Sequence, residues 1–335
     1  MAEAILKTQN LAVGYKYGRR PPRVVAHNID VSLHRGEFVC LLGPNGAGKS
    51  TLIRTLVGMQ PPLDGHVYLM GRDIADMSAT EVAQVISVVL TDRIGVGIMA
   101  VRDLVGLGRY PHTDWIGRFT EEDEWVVSWA IRAARAEDLT YRNVAELSDG
   151  ERQKVMIARA LAQQPDLMIL DEPTAFLDLP RRAEIMALLQ DLAHSTGKAI
   201  LLSTHDLDLA LRCADRIYLL PFEGALQTGA PEDLILNGAF EDAFQSDGVH
   251  FDADTGAFKL NAQRGHAPVA VSGEGRRAYW TIRALERAGF QVGDAGAEWR
   301  VDIREGDAWC VERGGVVREY DSIADLIAAL KSNHR

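Results

Sequence analysis

Cysteine is scarce in this chain: Cys40, Cys213 and Cys310 are the three among 335 residues, far apart and without metal-ligand spacing. That excludes a disulfide framework and a thiolate metal centre. The expectation is reduced, mostly buried thiols in a cytosolic protein. Proline is also sparse at 12 residues, and with 25% charged and 47% apolar residues the chain is a folded protein with a sizeable core. Long hydrophobic runs are missing. The longest uncharged stretch, Phe38 to Gly48, covers eleven residues and is broken by glycines, whereas a membrane span needs roughly 20 apolar residues. Residues Met1 to Asn10 lack the basic start and apolar stretch of a signal peptide. Basic excess is absent too: 36 Lys and Arg stand against 47 Asp and Glu, a net −11. A general nucleic-acid binder usually carries the opposite sign, so no nucleic-acid partner is expected.

What is present reads as two domains, the prior for this length. Residues 1–247 hold 34 acidic and 24 basic side chains, residues 248–335 only 13 and 12. The join runs through Asn237-Gly238 and Asp247-Gly248, turn-forming pairs. The expected division is 1–247 and 248–335. Neither an internal repeat nor a low-complexity tract occurs. The first 50 residues alternate with the period of strands, and Ile29, Val31 and Leu33 share one side. Phe38 to Leu42 is a continuous apolar run that ends at glycine, which fits a strand buried on both faces. A helical stretch follows from Lys49 to Val57. Leu167 to Leu170 and Ala199 to Leu202 are two further buried strands, with helical patterns around 180–195 and 206–213. Strands alternating with helices predict a largely parallel α/β sheet. Residues 120–163, rich in helical pattern, predict a separate lobe.

The strongest motif is Gly43-Pro44-Asn45-Gly46-Ala47-Gly48-Lys49-Ser50, followed by Thr51. It matches a phosphate-binding loop and sits after a buried strand and before a helix, as such a loop must. Its glycines let successive N–H groups turn inward around phosphate oxygens, and the helix adds its positive dipole end. Lys49 is expected to reach the β- and γ-phosphates and Ser50 to ligate Mg²⁺. Asp171 and Glu172 end the strand that starts at Leu167. Asp171 suits the Mg²⁺ shell, and Glu172 is placed to polarise an attacking water. Two parallel strands bring both ends to one sheet edge, where such folds bind ligands.

Leu147-Ser148-Asp149-Gly150-Glu151 lies 20 residues before Asp171-Glu172 and resembles the signature of ATP-binding-cassette (ABC) ATPases. The rest of that family's pattern follows in order. Ala175 to Asp178 resembles the D-loop, and Ser203-Thr204-His205-Asp206 the switch segment with its histidine. Tyr15 stands where the family stacks a ring on adenine, with Tyr17 two residues on as its competitor. The resemblance covers residues 1 to about 240. Gly106 to His112 more narrowly resembles the ATPases of importers for iron–siderophore, haem and cobalamin complexes.

The resemblance implies a P-loop fold of the ABC type: a parallel sheet core, an antiparallel N-terminal β part and a helical subdomain at about 92–163. It also implies an ATPase whose signature acts in trans on ATP held by a second copy. Glu172 and His205 would be catalytic, with His205 contacting the γ-phosphate. Permease subunits and a substrate-binding protein would be partners, and the place of work the cytoplasmic face of the inner membrane. The expected task is uptake of an iron–siderophore, haem or cobalamin. Residues around 92–118 would receive the permease, with Tyr110 and Trp115 as contacts. A soluble ABC ATPase acting on a ribosome, DNA or protein is the rival, but one P-loop, one signature and no sustained heptads favour the transporter. A small-molecule kinase would need neither signature nor D-loop.

Two positions depart from the family. Asp149 puts a carboxylate beside a phosphate, a repulsion unless it caps its own helix, and capping is the expectation. The family's glutamine after the strand Val85 to Leu90 is missing; by spacing Thr91 takes its place, followed by Asp92, as a further Mg²⁺ contact. Residues 248–335 alternate as strands at Trp299 to Ile303, from Trp309 and at Val316 to Tyr320. Helical spacings lie around Ile282 to Ala288 and Ile323 to Leu330. This predicts a small α+β domain, either a packing module that stabilises a dimer or a ligand sensor.

Overall fold

The computed structural model describes residues 4–18, 20–90, 98–113, 118–222, 224–244, 248–260, 268–303 and 308–332. The chain divides into two compact units: Met1–Ser246 with Phe251–Phe258, and Asp247–His250 with Lys259–Arg335. A short hairpin, Val249–Asp252 with Ala257–Leu260, explains the interleaved boundary. Phe251 stacks on Phe240 at 5.3 Å and Phe258 meets Phe244 edge-on at 5.4 Å, so the hairpin's tip belongs to the first unit's core.

The first unit is built on a six-stranded sheet in the order Gln227–Gly229, Arg216–Leu219, Phe38–Leu42, Ala199–Ser203, Leu167–Asp171, Ile86–Val89. All neighbours run parallel except the edge strand Gln227–Gly229. Phe38, Val39, Cys40 and Leu41 are fully buried, as are Leu167 to Leu170 and Ala199 to Leu202. Strand alternation divides them between two cores. Phe38, Cys40, Leu42, Met168, Leu170, Ile200 and Leu202 face the helices Asp149–Ala162 and Leu179–Thr196. Val39, Leu41, Leu167, Ile169 and Leu201 face the helix Lys49–Leu56 and the N-terminal sheet. That second sheet is antiparallel, with Arg23–Ile29, Ala4–Tyr15, Asp64–Leu69 and Arg72–Asp73 in order and Ser32–His34 on the long strand. The phosphate-binding loop, the acidic pair and the His205 segment leave the carboxyl ends of three adjacent parallel strands, Phe38–Leu42, Leu167–Asp171 and Ala199–Ser203.

The helical lobe comprises Val101–Gly106, the 3₁₀ segment Leu107–His112, Glu121–Ala133 and the start of Asp149–Ala162. One strand boundary is corrected: Val85 closes the helix Ala79–Val85, so the edge strand is Ile86–Val89. Ser78 and Glu81 form a capping box there, fixing a helix that periodicity alone does not reveal. The second unit has a four-stranded sheet, Val269–Ser272, Trp299–Ile303, Trp309–Arg313, Val316–Tyr320. The helices Gly275–Arg287 and Ile323–Ser332 join this sheet in one core of Val269, Leu285, Phe290, Trp299, Val301, Val311, Leu326 and Leu330. The strand Val269–Ser272 is new, because four residues carry too little alternation to read. All three cysteines are free; Cys40 and Cys310 are buried and Cys213 is half-buried. No helix among the described residues is long and apolar enough to cross a membrane.

Candidate functional site

The loop Gly43 to Gly48 depends on its glycines. Gly43, Gly46 and Gly48 have φ of +153°, +85° and +104°. A Cβ on Gly43 would lie 2.1 Å from the Leu220 carbonyl oxygen, and one on Gly48 2.1 Å from Val25 Cγ1. Gly48 caps the helix Lys49–Leu56 without a side chain, and no acidic residue occupies the first turn. The first N–H groups and the dipole are thus left to an anion. Asn45 and Gly46 are exposed, Pro44 and Ser50 half-buried, and Ala47 and Thr51 buried. Lys49 is only 5% exposed. Its ammonium donates to the carbonyls of Gly43 at 2.9 Å and Pro44 at 3.2 Å, so it is held inside the loop. Burial pushes the Lys49 pKa below the usual amine range, while Glu172 and Asp171 pull it back up. The Tyr15 hydroxyl lies 2.8 Å from Thr51 Oγ1, which ties that ring to the loop helix. Tyr17, its ring centre 6.3 Å from that of Tyr15, is more than half exposed.

The acidic edge is assembled by strand register. Asp171 pairs with Ser203 across the parallel ladder. The Ser203 hydroxyl donates to Asp171 Oδ1 at 2.5 Å and accepts the Glu172 N–H at 2.9 Å. Glu172 has φ of +49°, a left-handed conformation that costs a non-glycine residue about 1–3 kcal/mol. Beyond it, His205 Nε2 lies 2.5 Å from Glu172 Oε1. Sequence reasoning assigned the two residues separate tasks; the fold makes them partners. Ser50 and Asp171 offer a hydroxyl and a carboxylate, the hard oxygens that fit Mg²⁺, which takes one or two carboxylates and completes its shell with phosphate and water. Thr91 and Asp92 lie outside the described residues. Among the described residues no group of three or more His, Cys, Asp or Glu side chains converges as a metal site. His112 Nε2 lies 2.8 Å from the Gln163 carbonyl oxygen.

The signature corrects one expectation. Ser148, not Asp149, caps the helix Asp149–Ala162, and Asp149 is the first helical residue. Glu151 closes a capping box: its Oε2 accepts the Ser148 N–H and hydroxyl, both at 2.8 Å, and Arg142 donates to Oε1 at 2.7 Å. The Ser148 N–H, its hydroxyl and Arg142 hold the Glu151 carboxyl below its usual range. Ser at the cap with Glu three residues on is the sequence pattern that could have revealed this arrangement, but Asp149 drew attention because of its charge. Leu147 and Gly150 are buried, whereas Ser148 and Asp149 are exposed. Asp178 caps the helix Leu179–Thr196 by accepting the Arg181 N–H at 3.0 Å. Glu184 receives both Lys154 of the signature helix at 2.5 Å and Arg181 at 2.9 Å, joining the two helices. Arg182 donates to the Leu177 carbonyl at 2.7 Å and approaches Asp206 at 3.7 Å.

The segment Gly106 to His112 serves the lobe's interior. Arg109 is buried, and its Nε donates to Asp123 Oδ1 at 2.7 Å. Its Nη1 donates to the Ala162 carbonyl at 2.9 Å and Gln164 Oε1 at 2.8 Å. Gly108 lets the segment approach the signature helix, since a Cβ there would lie 2.2 Å from the Arg159 carbonyl oxygen. Tyr110 is exposed, and Trp115 lies outside the described residues. Sequence reasoning missed Arg109, Arg182 and Ser203. Thr120 followed by Glu121, Glu122, Asp123 and Glu124 is a helix start legible in the sequence, but the buried partner of Asp123 is not.

With this geometry in hand, comparisons with known proteins identify the family. The ABC transporter family model matches residues 26–175, and that of the iron ABC transporter C-terminal domain matches residues 266–331. An uncharacterized ABC transporter ATP-binding protein of Methanocaldococcus jannaschii is 42% identical over 257 residues, 76% of this chain and 87% of that protein. The ferric enterobactin transport ATP-binding protein FepC of Escherichia coli is 37% identical over 238 residues, covering 70% and 86%. A dimeric bacterial ABC transporter cassette superposes with a TM-score of 0.58 at 27% identity, over 68% of this chain and 98% of the other. The chain belongs to the ABC transporter family as an ATP-binding, ATP-hydrolysing subunit.

Proposed function

We propose that two copies of this chain power the import of an iron complex through membrane permease subunits, at the cytoplasmic face of the inner membrane. One observation carries the reading. Each copy holds one phosphate loop with Lys49, Asp171, Glu172 and His205, and one signature helix whose capping residue Ser148 points to solvent. ATP lies between the loop of one copy and the signature of the other. Beside Asp178, Phe176 is 64% and Leu179 71% exposed, apolar surface that a second copy would cover. The dimeric state of the superposing cassette supports this assembly. The match to the iron C-terminal domain, and the cargo named for the E. coli relative, support an iron chelate among the expected complexes. Cargo is recognised by the permease and a substrate-binding protein, not by this chain.

The chemistry is positioning and charge stabilisation. The loop N–H groups and Lys49 hold the β- and γ-phosphates, and Tyr15 stacks on adenine. Ser50 and Asp171 would hold Mg²⁺, which neutralises charge on the β- and γ-oxygens. Glu172 accepts the proton of the attacking water, and His205 positions that carboxylate against the γ-phosphate. Tyr15→Ala is expected to weaken ATP binding about 5- to 150-fold, the roughly 1–3 kcal/mol of a stacked base, with Tyr17→Ala nearly silent. Titration with a fluorescent ATP analogue measures both.

The assembly is tested with tagged Glu172→Gln protein in native membranes, extracted gently and analysed by mass spectrometry. A polytopic permease in stoichiometric amount is the expected companion. Ribosomal or DNA-repair proteins without an integral membrane protein would overturn the transporter reading.

A further inference from the structure

We propose that Ser203 is a positioning residue for hydrolysis, its one hydroxyl setting both the Asp171 carboxylate and the Glu172 backbone. The proposal rests on the roles given above to Asp171 and Glu172.

Ser203 is the last residue of the strand Ala199–Ser203 and is fully buried. Its side chain could have been apolar, like those of Ile200, Leu201 and Leu202 before it. A hydroxyl there must find partners, and it finds two that belong to the reaction. Donation to Asp171 Oδ1 at 2.5 Å fixes the rotation of that carboxylate. Acceptance of the Glu172 N–H at 2.9 Å holds a peptide that also donates to the Ser203 carbonyl at 3.2 Å. This peptide leads into the left-handed backbone of Glu172, at φ +49°. Such a conformation persists only when its surroundings over-determine it. The two bonds do so, and they thereby aim the Glu172 side chain at His205, 2.5 Å away. The hydroxyl is buried and its bonds go to Asp171 and Glu172, so it acts through these neighbours.

Loss of the hydroxyl should therefore lower kcat far more than it weakens ATP binding, since its hydrogen bonds go to Asp171 and Glu172, and those of the Lys49 ammonium to Gly43 and Pro44. Misplacing a catalytic base by a fraction of an ångström to one ångström costs up to about 10²-fold. Full-length protein carrying Ser203→Ala or the similarly sized Ser203→Cys is compared with wild type and with Glu172→Gln. Measurements are steady-state ATPase, equilibrium binding of a fluorescent ATP analogue and thermal unfolding. The expected result is a fall in kcat of about tenfold or more for both serine variants, with KM and nucleotide Kd within about twofold and the midpoint of unfolding unchanged. Wild-type kcat in Ser203→Ala, or in Ser203→Cys, would overturn the proposal. So would a parallel loss of nucleotide binding or thermal stability, which marks a packing role. The Glu172→Gln control separates this failure from that of the underlying reading: if Glu172→Gln hydrolyses ATP normally, the roles of the acidic pair themselves are wrong.

Discussion

Glu172→Gln is expected to lower ATP hydrolysis by about 10²- to 10⁴-fold, the usual contribution of a positioned general base, while nucleotide binding is kept. Glutamine has the shape of glutamate, so the contact with His205 and the strained backbone persist, but a neutral amide accepts no proton from water. The substitution also removes a negative charge that faces Lys49 and, on the proposed reading, the γ-phosphate. Both effects favour an ATP-bound dimer that forms and does not part. Phosphate release reports the first. A shift from monomer to dimer in sedimentation on addition of ATP and Mg²⁺, larger than in wild type, reports the second. Hydrolysis within threefold of wild type would remove Glu172 from the mechanism.

The second large effect concerns stability. Arg109 and Asp123 are a buried ion pair, with side chains 4% and 6% exposed. Removing one partner of such a pair leaves a charge without compensation and costs about 3–5 kcal/mol, whereas replacing both by apolar residues is often neutral or stabilising. Asp123→Ala should destabilise the lobe by that amount, because Arg109 stays buried and the capping box with Thr120 is lost with it. The double variant Arg109→Met, Asp123→Leu should recover most of the loss. Urea unfolding, with hydrogen exchange in Glu121–Ala133, measures both. Acid acts on the same pair. Burial alone would raise the Asp123 pKa, but the Thr120 N–H, the Thr120 hydroxyl and Arg109 together hold it below the usual carboxylate range. A depressed carboxylate contributes stability above its unfolded pKa and loses it as pH falls through the folded one. Wild type should therefore lose lobe protection below about pH 4, and the double variant should not lose it there.

The two predictions touch opposite ends of one arrangement. The lobe carries the signature helix, whose C-terminal end Arg109 holds through the Ala162 carbonyl. The same helix is tied to the D-loop helix by Lys154, Glu184 and Arg181. Arg182 of that helix then approaches Asp206, the residue after His205. A chain of polar contacts thus runs from the narrow-family segment Gly106 to His112 to the acidic edge, with no cysteine or metal cluster in it.

The sequence by itself determined the loop and the acidic pair, because these are local. Glycines with positive φ, a lysine and a hydroxyl in fixed succession define a phosphate cradle without reference to the rest of the chain. Ser148 with Glu151, and Thr120 with Asp123, are capping pairs readable three residues apart. The buried strands were legible because continuous apolar runs bounded by glycine or acid have few other uses. Tertiary structure alone decided what meets across the sheet and the lobe. Ser203 reaches Asp171 because two parallel strands share a register, 32 residues apart in sequence. Arg109 looks like one more surface arginine until 3₁₀ geometry and Gly108 carry it under the signature helix. Even Asp149, the most conspicuous departure in the signature, lost its expected capping role, since the serine before it already supplied the oxygen. Local chemistry is written in spacing, but a partner brought by register or packing leaves no periodic trace in the chain.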